Sequence, residues 1–223
     1  MVSYPQRGGF MKDIPMFTTD SGVSSLILKE IPYKQLAFIH VQDVQPGQLK
    51  THLEECISFC RMVGTEKILA KGHEELEDYP LESVVVEMTL LPEQQEPEAN
   101  LWPVTDETVT KWREIYNSAM GQFPNHATLT FHDEKRIVQS GGAYFVHRDG
   151  ELLGIGWMDG QELLALVSVV PGMGETVAKT LFTTVGSDPI RLEVVSDNLR
   201  AVRLYERMGF VKTREVSRWY RLL

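Results

Sequence analysis

Two cysteines, Cys56 and Cys60, are all that the 223 residues contain. That is too few for a disulfide framework and points to a reducing compartment. No apolar run approaches the roughly 20 residues that would span a bilayer. The opening stretch MVSYPQRGGFMKD also lacks an apolar core behind a basic head. The chain is therefore expected to be cytoplasmic, neither exported nor embedded. Basic residues are in the minority, 22 against 31 acidic, for a net charge of -9. Duplex nucleic acid and anionic membranes are held chiefly by basic patches, so both are excluded as primary partners, while small molecules remain open. Equally missing are a glycine-rich phosphate loop, a serine nucleophile elbow and a zinc motif. The histidines at 40, 52, 73, 126, 132 and 147 show no metal-ligand spacing, and His126 and His132 read as surface residues of a helix or loop. Cys56 and Cys60 lie four apart on an apolar helix face, which reads as core rather than as a metal pair or nucleophile. No metal is expected.

What is present is an ordinary globular composition, 43% hydrophobic and 24% charged, broken once. Between Leu91 and Pro103, prolines 92, 97 and 103 stand among acidic and amide residues and forbid continuous helix or ladder pairing. This divides the chain into an N-terminal α/β domain over 1–91, a linker over 92–101 and a second domain over 102–223. Residues 1–100 hold 8 basic and 16 acidic side chains, leaving 14 and 15 beyond, so almost all of the acidity belongs to the first half.

In that half, apolar runs at 25–31 and 35–42 read as a hairpin across Pro32-Tyr33-Lys34. Leu49, Leu53, Cys56, Ile57, Cys60 and Val63 recur at helical spacing up to Gly64, and strands follow at 66–70 and 83–91. The acidic run 73–78 reads as a solvated face. In the second half a helix is expected over 105–120, then strands at 142–147, 151–158 and 162–170 joined by Asp-Gly turns. Pro171-Gly172 leads into a helix to about Thr184, followed by strand 190–195, helix 198–208 and strand 210–220. The two halves also share a turn pattern. Val41-Gln-Asp-Val-Gln-Pro-Gly47 precedes one helix and Val167-Ser-Val-Val-Pro-Gly172 another, which leaves a degenerate internal repeat and independent use of a common turn both open.

The most informative stretch is Asn-x-x-Ala-x-x-Leu-Tyr-Glu-x-x-Gly-Phe, from Asn198 to Phe210. Each residue alone has a structural role, as cap, core or C-cap; seven specified positions between two strands resemble the GNAT superfamily of acyl-CoA-dependent N-acyltransferases. The resemblance covers roughly residues 101–223, and whether the N-terminal half is a degenerate partial copy of the same fold stays open. It implies a mixed, mostly antiparallel sheet flanked by helices, beside a second, smaller α/β domain.

The same resemblance implies a function, with acetyl-CoA as co-substrate. An acyl group, acetyl above all, would pass to a primary amine on a small molecule or peptide by direct attack in a ternary complex. The pantetheine arm would lie between strands 162–170 and 190–195, pairing near Val169 and Val170. The pyrophosphate would meet the backbone of Met173, Gly174, Glu175, Thr176, Val177 and Ala178, where a helix start offers amides and a dipole. Asn198 and Ala201 complete the cofactor set. Here the sequence departs from the family pattern, because Met173 replaces a Gln or Arg, Thr176 replaces the central glycine and Glu175 adds a negative charge. Tyr205 would protonate the departing thiolate, its ordinary acidity near pKa 10 standing close to that of an alkyl thiol near 8.5. Glu162 is the candidate general base, with Glu193 and Asp159 behind it. The alternative is a non-catalytic ligand-binding or interaction module with a degraded phosphate loop. On either reading the N-terminal domain could complete a pocket or a dimer surface, so a homodimer is left open.

Overall fold

The computed structural model describes residues 15–91, 96–121, 123, 126–186 and 188–223. Residues 92–95 of the expected linker lie outside the described residues. Two compact units emerge, Val86–Arg214 and a second built from the described residues up to Val85 together with Glu215–Leu223. The division thus falls some residues before the proline-rich stretch, and the last strand contributes to both units.

In the N-terminal unit, β1 (Met16–Thr18) and β2 (Gly22–Ile27) form an antiparallel pair, and β2 pairs antiparallel with β3 (Leu36–Val44). The expected hairpin is present, but its connection is a helical turn, α1 (Ile31–Lys34), with a proline in its first turn and Gln35 left-handed at its end. Helix α2 (Leu49–Met62) crosses over to β4 (Lys67–Lys71), which lies parallel to β3. A 3₁₀ turn, Glu74–Asp78, leads to β5 (Leu81–Leu90), and the end of β11 (Val211–Arg221) pairs antiparallel with β4. One face of α2 packs Leu49, Leu53, Cys56 and Cys60 on Ala37, Ile39, Val41, Ile68 and Ala70. Burial pushes the two thiols up to about 12 and about 11 respectively, which makes them inert packing groups.

In the C-terminal unit, the end of β5 is followed by β6 (Asn100–Pro103), whose first two residues fall in the expected linker, and then by α3 (Val109–Met120) and α4 (Phe131–Ser140). Strand β6 is possible because its one proline, Pro103, ends an edge strand, where a missing ladder donor costs little. Helix α3 begins four residues later than its Thr105 suggested. Thr105 and Thr108 instead bond one another, the Thr105 N–H donating to Thr108 Oγ1 at 2.9 Å.

Next come β7 (Ala143–Arg148), β8 (Glu151–Asp159) and β9 (Glu162–Ser168), the expected antiparallel meander. Helix α5 (Gly174–Phe182), β10 (Ile190–Val195) and α6 (Leu199–Arg207) follow, then the start of β11. The strand order is β5-β10-β9-β8-β7-β6, with β10 parallel to β9. Two faces of β8 build this unit. Ile155 and Trp157 enter a core with Trp112, Tyr116 and Ile137 from α3 and α4. Gly154 and Gly156, pointing the other way, let α5 lie against the sheet, since a Cβ on either would run into Val177 or Leu181.

Candidate active site

Among the described residues, β3–α2–β4 and β9–α5–β10 are crossovers whose two strands pair in parallel, and they differ in one respect that decides where a ligand arm could enter. In the N-terminal unit, β3 and β4 pair at five consecutive positions, Leu36 with Lys67 through His40 with Lys71. Their backbone edges are spent on each other. In the C-terminal unit, β9 and β10 pair at a single position, Arg191 with Glu162, where the Arg191 N–H donates to Gln161 O at 2.9 Å. Beyond it the two parallel strands diverge.

The cause lies in β9. Its register with β8 shifts between Trp157 and Met158, which face Ala165 and Leu163 and leave Leu164 as an extra residue. An extra residue bends a strand and increases its twist, carrying it off its other neighbour. Further along, Val169 N–H and Val170 N–H both reach Leu153 O, at 2.9 and 3.4 Å. The backbone groups expected to face the arm are therefore engaged with β8. By the alternation of an antiparallel ladder, the groups facing the uncovered edge belong to Leu166 and Ser168. Only the register shift, which no sequence pattern announces, moves the open edge to these residues.

Past β9 the chain turns through Pro171-Gly172 into α5. Met173 N–H bonds Val170 O at 3.2 Å and Val177 N–H bonds Met173 O at 2.9 Å. Between them, the N–H groups of Gly174, Glu175 and Thr176 meet no acceptor among the described residues, and Met173 supplies no side-chain cap. Three consecutive open N–H groups on the positive end of a helix dipole form an anion cradle. Val177 and Ala178 are buried one turn further in, so they hold the cradle in place and do not line it.

Around this turn stand charges that the sequence did not connect. Glu98, 78 positions from Thr176, accepts from Thr176 Oγ1 at 2.7 Å and from Lys179 Nζ at 3.3 Å. Lys179 also pairs with Glu175 at 2.9 Å. The bonds from Thr176 and Lys179 and the positive field of Lys179 and Arg148 hold the Glu98 carboxyl below its usual range, against a smaller opposing effect of burial. Arg148, at the end of β7, sets Nη2 3.8 Å from Met173 Sδ.

Helix α6 carries the motif that the sequence singled out. Asn198 caps it, Oδ1 accepting from Ala201 N–H at 3.2 Å, so these two residues are tied first to each other. At its end Gly209 takes φ +90, and the Phe210 and Gly209 N–H groups return to Tyr205 O at 2.9 Å and Glu206 O at 3.0 Å, a Schellman closure that a Cβ would strain. The closure seats Phe210 against both Tyr205 and Phe182, with ring centroids 5.4 and 5.8 Å apart. Leu204, beside Tyr205, would stand 3.3 Å from a Cβ on Gly174, so α6 lies next to the cradle. Tyr205 is 6% exposed and its hydroxyl meets no partner among the described residues. Burial pushes its phenol well above the ordinary range, widening the gap to a thiol that the free values had suggested was small.

Glu162 lies at the closed end of the divergence, opposite Arg191. Crowding by the protein, then the Glu193 and Asp159 charges, raise its carboxyl above the ordinary value, with Arg191 opposing. Six residue steps along β9, about 20 Å, separate it from Ser168.

The backbone as a whole is similar to solved structures. A GCN5-related N-acetyltransferase from Sphaerobacter thermophilus superposes with a TM-score of 0.56 at 14% identity, over 89% of this chain and 75% of that one. The chain has the GNAT fold. A GCN5-related N-acetyltransferase from Kribbella flavida gives a TM-score of 0.54 at 15% identity over 94% and 89% of the two chains. A functionally unknown conserved protein from Staphylococcus epidermidis gives 0.56 at 11% over 94% and 93%. No protein-family model and no curated protein matches the sequence. At such identities the GNAT likeness describes the backbone, and chemistry has to be argued from the site.

Proposed function

We propose that the C-terminal unit is an acyl-CoA-dependent N-acyltransferase, with acetyl-CoA as donor and a primary amine on a small molecule or peptide as acceptor. The observation that carries this reading is the divergence of β9 from β10, which ends beside three consecutive open N–H groups at the start of α5. An extended arm carrying amides fits a strand edge left unpaired, and a diphosphate fits a helix start left uncapped. Leu166 and Ser168 offer the arm their backbone groups, while Gly174, Glu175 and Thr176 offer the diphosphate their amides. Bound in this way, an acyl thioester would supply a carbonyl carbon open to direct attack by the amine.

The residues of the chain then have separable tasks. The Ser168 N–H polarises the carbonyl oxygen, an interaction that strengthens as negative charge develops there. The Tyr205 hydroxyl, kept protonated by burial, would give its proton to the leaving thiolate and recover one from the attacking nitrogen, which sheds it as the neutral amide forms. Glu162 stands too far along β9 to take the amine proton directly, so the acceptor enters as the free base.

A second reading, a non-catalytic ligand-binding or interaction module, is favoured by the two carboxylates, Glu98 and Glu175, at the first turn of α5. Thermal melting with acetyl-CoA separates the two readings. A rise in melting temperature, retained in Tyr205→Phe while turnover falls by about 10²-fold, is the expected result. No rise at millimolar acetyl-CoA would leave only the second reading.

A further inference from the structure

We infer that Glu98 is an internal stand-in for phosphate at the start of α5, and that a diphosphate ligand binds by exchanging with it. This rests on the reading of α5 as the pyrophosphate site.

Glu98 lies two residues before β6. Its neighbour Ala99 packs with Leu101, Met173 and Val177 in a small apolar cluster, which holds the segment against the first turn of α5. From there its two carboxylate oxygens take the Thr176 hydroxyl at 2.7 Å and the Lys179 ammonium at 3.3 Å. Arg148, which makes no ion pair with a described residue, lies close enough for its charge to stabilise the Glu98 carboxylate. A hydroxyl, an ammonium and a guanidinium are donors that a phosphate oxygen would use; here the first two bond a carboxylate and the third adds its charge nearby. The three N–H groups of Gly174, Glu175 and Thr176 stay open beside it.

The exchange has a direction. With Glu98 in place, Glu98 and Glu175 oppose Arg148 and Lys179, and the cluster carries no net charge for an incoming dianion. Swinging Glu98 out leaves the two cations facing a single carboxylate, and Thr176 with a free hydroxyl. The contact is at the surface, so it can break without unfolding anything, and its cost is felt as weakened affinity for phosphate-bearing ligands.

Isothermal titration of the full chain with CoA and with pantetheine, which has the arm but no diphosphate, tests the exchange. Glu98→Gln keeps the shape and removes the charge. It is expected to tighten CoA about five-fold, the effect of one like charge at contact distance in water, and to leave pantetheine unchanged. Arg148→Gln is expected to weaken CoA by a similar factor and again spare pantetheine. Equal CoA affinity in wild type and Glu98→Gln would overturn the exchange while leaving the acyl-CoA reading intact, as would an equal change for CoA and pantetheine. Absence of CoA binding in wild type and in both variants would overturn the acyl-CoA reading and the exchange with it.

Discussion

His52 shows how a side chain with no legible role acquires one from its surroundings. It is fully buried on α2, with Nε2 2.7 Å from Ser24 Oγ and Nδ1 2.9 Å from Thr19 Oγ1. The arrangement looks like a catalytic relay, but Ser24 is as buried as the ring, and the cluster ties the β1–β2 hairpin to α2. Burial lowers the pKa of His52, with Glu55 opposing. The folded state thus keeps the ring neutral, whereas the unfolded chain protonates near 6.5. Stability is full above that value and declines as pH falls below it, because the unfolded state then binds more protons. Melting temperature should drop between pH 7.5 and 5.5, and His52→Gln should reduce the drop without abolishing it, since burial and Lys71 lower His40 too. An unchanged drop would remove His52 from this account. At the same scale, Asn198, Tyr205 and Gly209 were legible because their motif is local. Leu166, Ser168, Glu98 and Arg148 were not. The first two depend on a register shift, and the last two on contacts formed between residues far apart in the chain.

Elements were easier to read than their joins. Helix α6 and strand β10 fall where the capping asparagine, the helix-stopping glycine and the alternating pattern of Ile190–Val195 put them. Helix α4 has no counterpart among the expected elements, although Thr130 and Asp133 form a reciprocal cap, the Thr130 N–H donating to Asp133 Oδ2 at 2.7 Å. Its apolar face is narrow, and Arg113 and Asn117 of α3 do much of the holding: Arg113 pairs with Glu134 at 2.8 Å, and Asn117 bonds both backbone groups of Leu129. The packing of α5 on β8 depends on Gly156, whose replacement would press on Leu181. Gly156→Val should destabilise the chain by about 1–3 kcal/mol, as overpacking does. Urea unfolding measures it, and a loss below a few tenths of a kcal/mol would mean that α5 does not sit so close.

For the molecule, the proline-rich break marked two domains and the shared turn pattern left a repeat open; in the structure each of the two units holds a parallel crossover. What no composition could say is which crossover is open. Charge does not decide it, because the acidity of residues 1–100 includes Glu98, which lies against the site, while most of the rest belongs to the other unit. Pairing decides it: five ladder positions close β3 on β4, and one holds β9 to β10. Hydrogen–deuterium exchange with and without acetyl-CoA reads this difference directly. Protection is expected at 166–168 and 174–176, with residues 36–44 and 49–62 unchanged. Acetyl-CoA that leaves 166–176 unprotected, or that protects the β3–α2 turn in its place, would contradict the account.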